Sequence, residues 1–303
     1  MATPTTPTVN RLQLGSLVRY VREQAGLTQD ALGAAVFPRV SVRSAQNKMA
    51  LLEKGEGGIH HADLAILLKT CGVEDPEMLS LMDQLHANIS QRGRWGGYRA
   101  VYAESFRKFV DLEEDADRIR GIAVNIMPDV FQCESYIRAV FADEAESNTA
   151  DWLDAAVAAR LDRASILRTS AAGRPEPPII HWVLDESAIR RVYGSRPIAR
   201  EQIRHTIAIS KLPNVTVQVV PFEHKTAKGA KAVLHPFTTL RIPVSGIASS
   251  LEYVYLSTPG DKRYLDDKAA VEAYDRLFTR AMTAALDERD SRTYMEEIAR
   301  EYR

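Results

Sequence analysis

Gln46, Asn47 and Lys48 stand side by side in this chain, and all three side chains can read nucleic-acid bases. A carboxamide pairs bidentately with adenine N6 and N7, and an ammonium reaches guanine O6 and N7. On a helix over about Ser44–Lys54, Met49 and Leu52 would face inward and turn Gln46, Asn47, Lys48 and Leu51 outward. The charge distribution suits a phosphate-bearing partner for this part of the chain. Residues 1–72 carry eight Lys and Arg against five Asp and Glu, whereas the whole chain has 39 against 40 and a net charge of −1.

Other reactive residue types are scattered. Among seven histidines only His60 and His61 are neighbours, and adjacent helical positions point about 100° apart, so they do not converge on one metal. There is no His-Glu-x-x-His, no paired Cys-x-x-Cys, no Walker loop and no Gly-x-Ser-x-Gly elbow. Cys133, near a helix start, could have a lowered thiol pKa or be a buried structural cysteine. Gly229 among Lys225, Lys228 and Lys231 could bind an anion or form a solvated loop. Trp95, Tyr98 and Tyr102 could line a small-molecule pocket or seal a domain joint.

The elements that must position these residues divide the chain. Leu14, Leu17, Val18 and Val21 stripe a first helix that Gly26 stops. Thr28 is an N-cap, with Leu27 as staple, for a short second helix through Ala31, Leu32 and Ala35. After the irregular Phe37–Arg43 comes the third helix, and Gly55 suits its left-handed end. Leu64, Leu67, Leu68 and Cys71 stripe a fourth helix ending at Gly72, and Asp75-Pro76 opens a fifth through Met78, Met82, Leu85 and Ile89. Beyond Gln91 strand and helix signals mix. Strands are expected at Ile119–Ile126, Ile179–Leu184, Val215–Val220, Phe237–Ile242 and Leu251–Leu256. Helices are expected after Pro128, over Asp151–Leu167, near Ile198–Ser210, and over Asp267–Arg289 and Ser291–Tyr302. The expected divisions are a disordered tail at 1–11, a helical domain at 12–73, a connecting helix at 74–92 and an α+β domain at 93–303.

The stripe ending at Val21, the run Ala25-Gly26-Leu27-Thr28-Gln29-Asp30-Ala31-Leu32 and the segment Leu51-Leu52-Glu53-Lys54-Gly55-Glu56 resemble the helix-turn-helix domain of the phage-repressor (Cro/Xre) class. The resemblance implies that helix two crosses a phosphate backbone while helix three lies in the major groove. It then implies that Gln29 opens helix two at the backbone and that Gln46, Asn47 and Lys48 lie on the exposed start of helix three. Arg39, Arg43 and Lys54 become candidates for phosphate contacts, which position without specifying. Two departures stand out. The span from Thr28 to Glu53 is longer than the class pattern, and Ala45 replaces the usual Ser or Thr at the start of helix three, with Ser44 able to cap one residue earlier.

The second part resembles a known type as well. Trp95-Gly96-Gly97-Tyr98, Arg118-Ile119-Arg120, the run Met127 to Tyr136 and the run Leu212 to Pro221 are similar to the large C-terminal domain behind such modules in actinobacterial antitoxin-like regulators, often encoded beside a short companion protein. Pro128-Asp129 replaces the usual Pro-Gly, and the loop Glu223–His235 is unusually rich in Lys.

These readings converge on a mostly α chain, an N-terminal helix-turn-helix bundle followed by an α+β C-terminal domain. The expected function is sequence-specific regulation of transcription on double-stranded DNA, as a homodimer, since one short recognition helix reads too few base pairs. The C-terminal domain would sense a ligand or hold a protein partner, a small companion protein among them. Two alternatives stay open: an enzyme built on the C-terminal domain, its helix-turn-helix vestigial, and an antitoxin-like protein-binding module. A pocket joining His181, His205, Glu223 or His235 to Cys133 would favour the enzyme. No cofactor, no metal and no catalytic residue is expected. Two cysteines far apart and no apolar run approaching about 18 residues point to a reducing cytoplasm and no membrane partner.

Overall fold

A computed structural model describes residues 6–90, 101–142, 149–169, 176–223, 235–243, 250–258 and 261–302, without the side chains of residues 104 and 105. The segments that hold Trp95 to Tyr98 and Lys225 to Lys231 lie outside the described residues.

Five helices build one unit: α1 (Pro7–Gln24), α2 (Gln29–Val36), α3 (Val42–Glu53), α4 (His61–Thr70) and α5 (Pro76–Asn88). The first begins at Pro7, with Thr6 accepting from the Val9 amide at 3.3 Å. Residues 7–11, expected in a disordered tail, are therefore helical, because a threonine cap followed by proline at the first helical position starts a helix as well as any later signal. The expected stripe Leu14, Leu17, Val18 and Val21 is buried with Leu32, Met49, Leu52, Leu64 and Leu67 in a single core. Met82 and Leu85 of α5 belong to that same core, so α5 packs as the fifth helix of this unit.

Helices α2 and α3 touch at their backbones. A Cβ on Gly33 would stand 2.9 Å from the carbonyl carbon and oxygen of Ala45, itself fully buried. Ala45 thus stands, fully buried, at the closest approach of the two helices. Gly33→Ala is expected to destabilise this unit by about 1–3 kcal/mol, because overpacking against rigid backbone outweighs the roughly 1 kcal/mol gain in helix propensity. Urea denaturation followed by circular dichroism checks the sign.

The second unit is built on a six-stranded mixed sheet of order β3-β2-β1-β4-β5-β6. Its strands are β1 (Arg118–Ala123), β2 (Ile179–Asp185), β3 (Val215–Val220), β4 (Phe237–Ile242), β5 (Leu251–Thr258) and β6 (Asp261–Leu265). The first three run parallel, whereas β4 pairs antiparallel with β1, and β6 with β5. Its described helices are α6 (Glu104–Asp115), α7 (Glu134–Val140), α8 (Ala150–Arg163), α9 (Glu186–Arg190), α10 (Arg196–Ile209), α11 (Lys268–Ala284) and α12 (Glu288–Glu301).

The two sheet faces carry different partners. Ile122, Val183, Phe237 and Val254 meet Phe278 and Ala281 of α11. On the other face Trp182 lies beside Gly121 in the parallel register, where any Cβ would collide with the indole carbons Cζ3 and Cη2.

The single helix expected after Pro128 is split into a 3-10 turn, Asp129–Phe131, and α7. Gln132 is extended at the break, and the buried Gln202 satisfies the freed backbone there. Its Oε1 accepts from the Cys133 amide at 2.8 Å, and its Nε2 donates to the Phe131 carbonyl at 2.7 Å.

Candidate functional site

Ser41, not Ser44, caps α3: its hydroxyl oxygen accepts from the Ser44 amide at 3.3 Å, and the helix starts at Val42. Ser44 bonds the Ser41 hydroxyl with its own at 2.9 Å. The helix therefore begins two residues before the expected position, and Gln46 and Asn47 sit one turn inside it. Ala45, Met49 and Leu52 form its buried stripe, which leaves Arg43, Gln46 and Asn47 exposed together at i, i+3 and i+4.

The candidate residues separate into two groups. Arg39, in the exposed joint before α3, belongs with Arg43, Gln46 and Asn47. Lys48 is exposed too, with its ammonium 5.2 Å from the centroid of the Phe37 ring. Val42, 63% exposed, is an addition that the structure makes to this face. Its signal in the sequence is an apolar residue on α3 outside the stripe of Ala45, Met49 and Leu52, able to meet a thymine methyl. Lys54 caps the opposite end of α3, roughly 16 Å along the axis from Arg43 at about 1.5 Å per residue.

Gln29 has an internal role. Its amide donates to Glu53 Oε2 at 2.7 Å, and Arg22 reaches the same carboxylate through Nε at 2.5 Å and Nη2 at 3.1 Å. The Glu53 side chain is only 4% exposed. This triad ties α1 and the start of α2 to the end of α3, and Gln29, half-buried at the start of α2, is held in place by it.

In the second unit a cavity of about 500 Å³ opens where β1 leaves the sheet, between its parallel and antiparallel halves. Open α/β sheets commonly bind ligands at such carboxyl ends. Met127, Pro128 and Asp129, from the run that carried the second resemblance, form part of its wall. Phe109 stacks on Tyr255 with centroids 4.2 Å apart, and Phe106 stacks on Phe109 at 5.4 Å. Phe141 and Trp152 form a second aromatic group, edge to face at 5.7 Å.

Five charged side chains line the same space: Glu113, Asp129, Arg160, Arg163 and Lys262. Arg163, its side chain 2% exposed, donates from Nε to Glu113 Oε2 at 2.9 Å and from Nη1 to Asp129 Oδ2 at 3.2 Å. Its guanidinium also lies 5.0 Å from the Phe106 centroid. Burial lifts the Glu113 carboxyl above its ordinary range even with Arg163 beside it. Burial also opposes ionisation of Asp129, but Arg160 and Arg163 outweigh it and the net shift is downward. Burial pushes the Tyr102 phenol, on the same wall, up to about 12.

Of these cavity residues, sequence reasoning singles out Tyr102, as a pocket aromatic, and Asp129, as a departure from the usual Pro-Gly. The signal for the others is a charge inside an apolar stripe. Glu113 completes Phe106, Phe109 and Val110 at i+7, and Arg163 completes Ala156 and Ala159.

The groups that would favour enzymatic chemistry are only partly assembled. Cys133 and His205 line one cleft with Arg200 and Glu201, but the thiol's contact is the Ser135 hydroxyl at 3.3 Å rather than an imidazole nitrogen. Glu223 and His235 are exposed. His181 lies on the α11 face, its Nε2 2.9 Å from Gln218 Oε1 and its ring edge-on to Phe278. Both cysteines are free, and among the described residues no group of three or more His, Cys, Asp or Glu could hold a metal ion.

Burial, followed by a smaller charge effect from Arg120 and against the Gln218 hydrogen bond, lowers the His181 pKa below 6.5; burial lowers that of His205 as well. The unfolded chain then binds more protons than the folded one below pH 6.5, so this unit is expected to lose stability as pH falls from 6.5. His181→Asn should reduce that loss, while His205 retains its share. Denaturation midpoints at pH 7.5 and 5.5 check both statements.

Among the described residues no helix is long and apolar enough to cross a membrane. No curated protein and no solved structure matches the chain. The family model described as a domain of unknown function, DUF5753, matches residues 106–297, which include the sheet, the buried Arg163 network and most of the cavity wall. With more than half of its length matched, the chain belongs to the DUF5753 family.

Proposed function

We propose that this chain is a sequence-specific DNA-binding regulator of transcription, in which α3 reads base edges and the DUF5753 domain senses an effector in its cavity. The observation that carries the reading is the exposed face of α3. Arg43, Gln46 and Asn47, residue types able to read guanine and adenine, share one side of a capped helix whose other side is locked into a five-helix core. The chain works in the cytoplasm as a homodimer, each copy docking one α3 into a major groove, with half-sites about 34 Å apart. Arg39 contacts phosphate and fixes the register.

Selection of the purified protein on a random double-stranded DNA library, at two salt concentrations, tests this. The expected result is an enriched palindrome with half-sites about 10 base pairs apart, centre to centre. Weak binding that disappears with salt and enriches nothing would reduce α3 to a solvated face.

A further inference from the structure

We propose that the ligand of the cavity is a planar aromatic carboxylate, held between the aromatic walls with its charge toward Arg160 and Lys262. The proposal rests on the reading of this domain as an effector domain and names the chemistry of the effector. Size comes first: about 500 Å³ is within the usual range of roughly 300–1,000 Å³ for small-molecule sites. The walls come next. Two groups of rings, one of Phe106, Phe109 and Tyr255 and one of Phe141 and Trp152, face this space, and stacked or edge-on rings receive a planar π-system better than an aliphatic chain.

Charge decides the sign of the ligand. Among the described residues three cationic side chains line the cavity against two carboxylates. Both carboxylates are engaged by Arg163, and Asp129 also stands 3.4 Å from Arg160 Nη1. Arg160 keeps a buried Nε without an acceptor among the described residues, although its Nη1 donates to Gln132 at 2.9 Å and its guanidinium covers the Phe141 ring at 4.5 Å. Lys262 donates to the Ser257 hydroxyl on the same wall rather than to a carboxylate. Trp182, also on the wall, has a buried indole N–H without an acceptor among the described residues. Unmatched buried donors beside a cationic excess call for an anionic acceptor. A carboxylate supplies the charge, two acceptor oxygens and a shape that a guanidinium grips.

The experiment is calorimetric titration of the full chain with three probes of similar shape: 1-naphthoate, neutral 1-naphthalenemethanol and cationic 1-naphthylmethylamine. The expected result is saturable one-to-one binding of 1-naphthoate, about ten- to hundredfold tighter than the alcohol, with no binding of the amine. Arg160→Gln and Lys262→Gln should each erase most of the preference for the carboxylate over the alcohol, and far-ultraviolet circular dichroism checks that each variant is folded. Alcohol or amine binding as tightly as the carboxylate would overturn the ligand class and keep the cavity as a ligand site. No saturable binding of any of the three would overturn the effector-site reading with it.

Discussion

Arg163→Met is expected to destabilise the DUF5753 domain by about 3–5 kcal/mol, the usual cost of breaking a buried ion pair by removing one partner. The reason is what the variant leaves behind. Glu113 is buried at the foot of the same network, and without the guanidinium it must stay as an uncompensated charge or take up a proton. Asp129 suffers less, because Arg160 Nη1 remains 3.4 Å from it and its side chain is 32% exposed. The double variant Arg163→Met with Glu113→Leu removes both buried charges and is therefore expected to recover most of the loss. Guanidinium denaturation of the two single variants and the double variant gives the coupling energy directly. Additive losses would mean that Arg163 acts through its contact with the Phe106 ring and not through Glu113.

How far these arrangements could be read beforehand depends on the range of the forces that make them. Val215–Val220 alternates as Val-Thr-Val-Gln-Val-Val, and the strand has those same limits, with Val215, Val217 and Val219 buried. The cap at Thr28 and the left-handed Gly55 are legible for the same reason, since each is decided within a few residues. Ser41 and Ser44 show where local reading fails: each can cap, three residues apart, and the helix takes the earlier one.

The helix α6 is hard to read because its buried face includes Glu113, which breaks the apolar pattern and becomes tolerable only when Arg163, fifty residues away in the chain, arrives beside it. The split after Phe131 depends in the same way on Gln202, from a different helix. The cavity is the extreme case. Its described walls come from α6, α8, five of the strands and the Met127–Asp129 turn, so no spacing along the chain announces it. The α3 face is legible as residue types, yet its grouping is not: the structure brings Arg43 onto one exposed side with Gln46 and Asn47 and engages Gln29 with Glu53.

That grouping determines the second prediction. Gln46→Ala with Asn47→Ala is expected to lower affinity for the selected operator by about 1–3 kcal/mol for each base pair that is no longer read, roughly ten- to hundredfold each, while leaving random DNA unaffected. Arg43→Ala should behave as they do, changing sequence preference as well as affinity, because it shares their exposed face. Lys54→Ala, at the far end of the helix, should weaken all DNA alike and reduce the magnitude of the salt slope by about one. Binding at several salt concentrations separates these outcomes, and equal losses on operator and random DNA from the double variant would remove α3 from readout. Unfolding cannot imitate the expected pattern. Gln46 and Asn47 are exposed, so their truncation should change stability by no more than about 0.5 kcal/mol. Gln29→Ala supplies the contrast: it takes a donor from the nearly buried Glu53, so it should lower stability and bind operator and random DNA less well together.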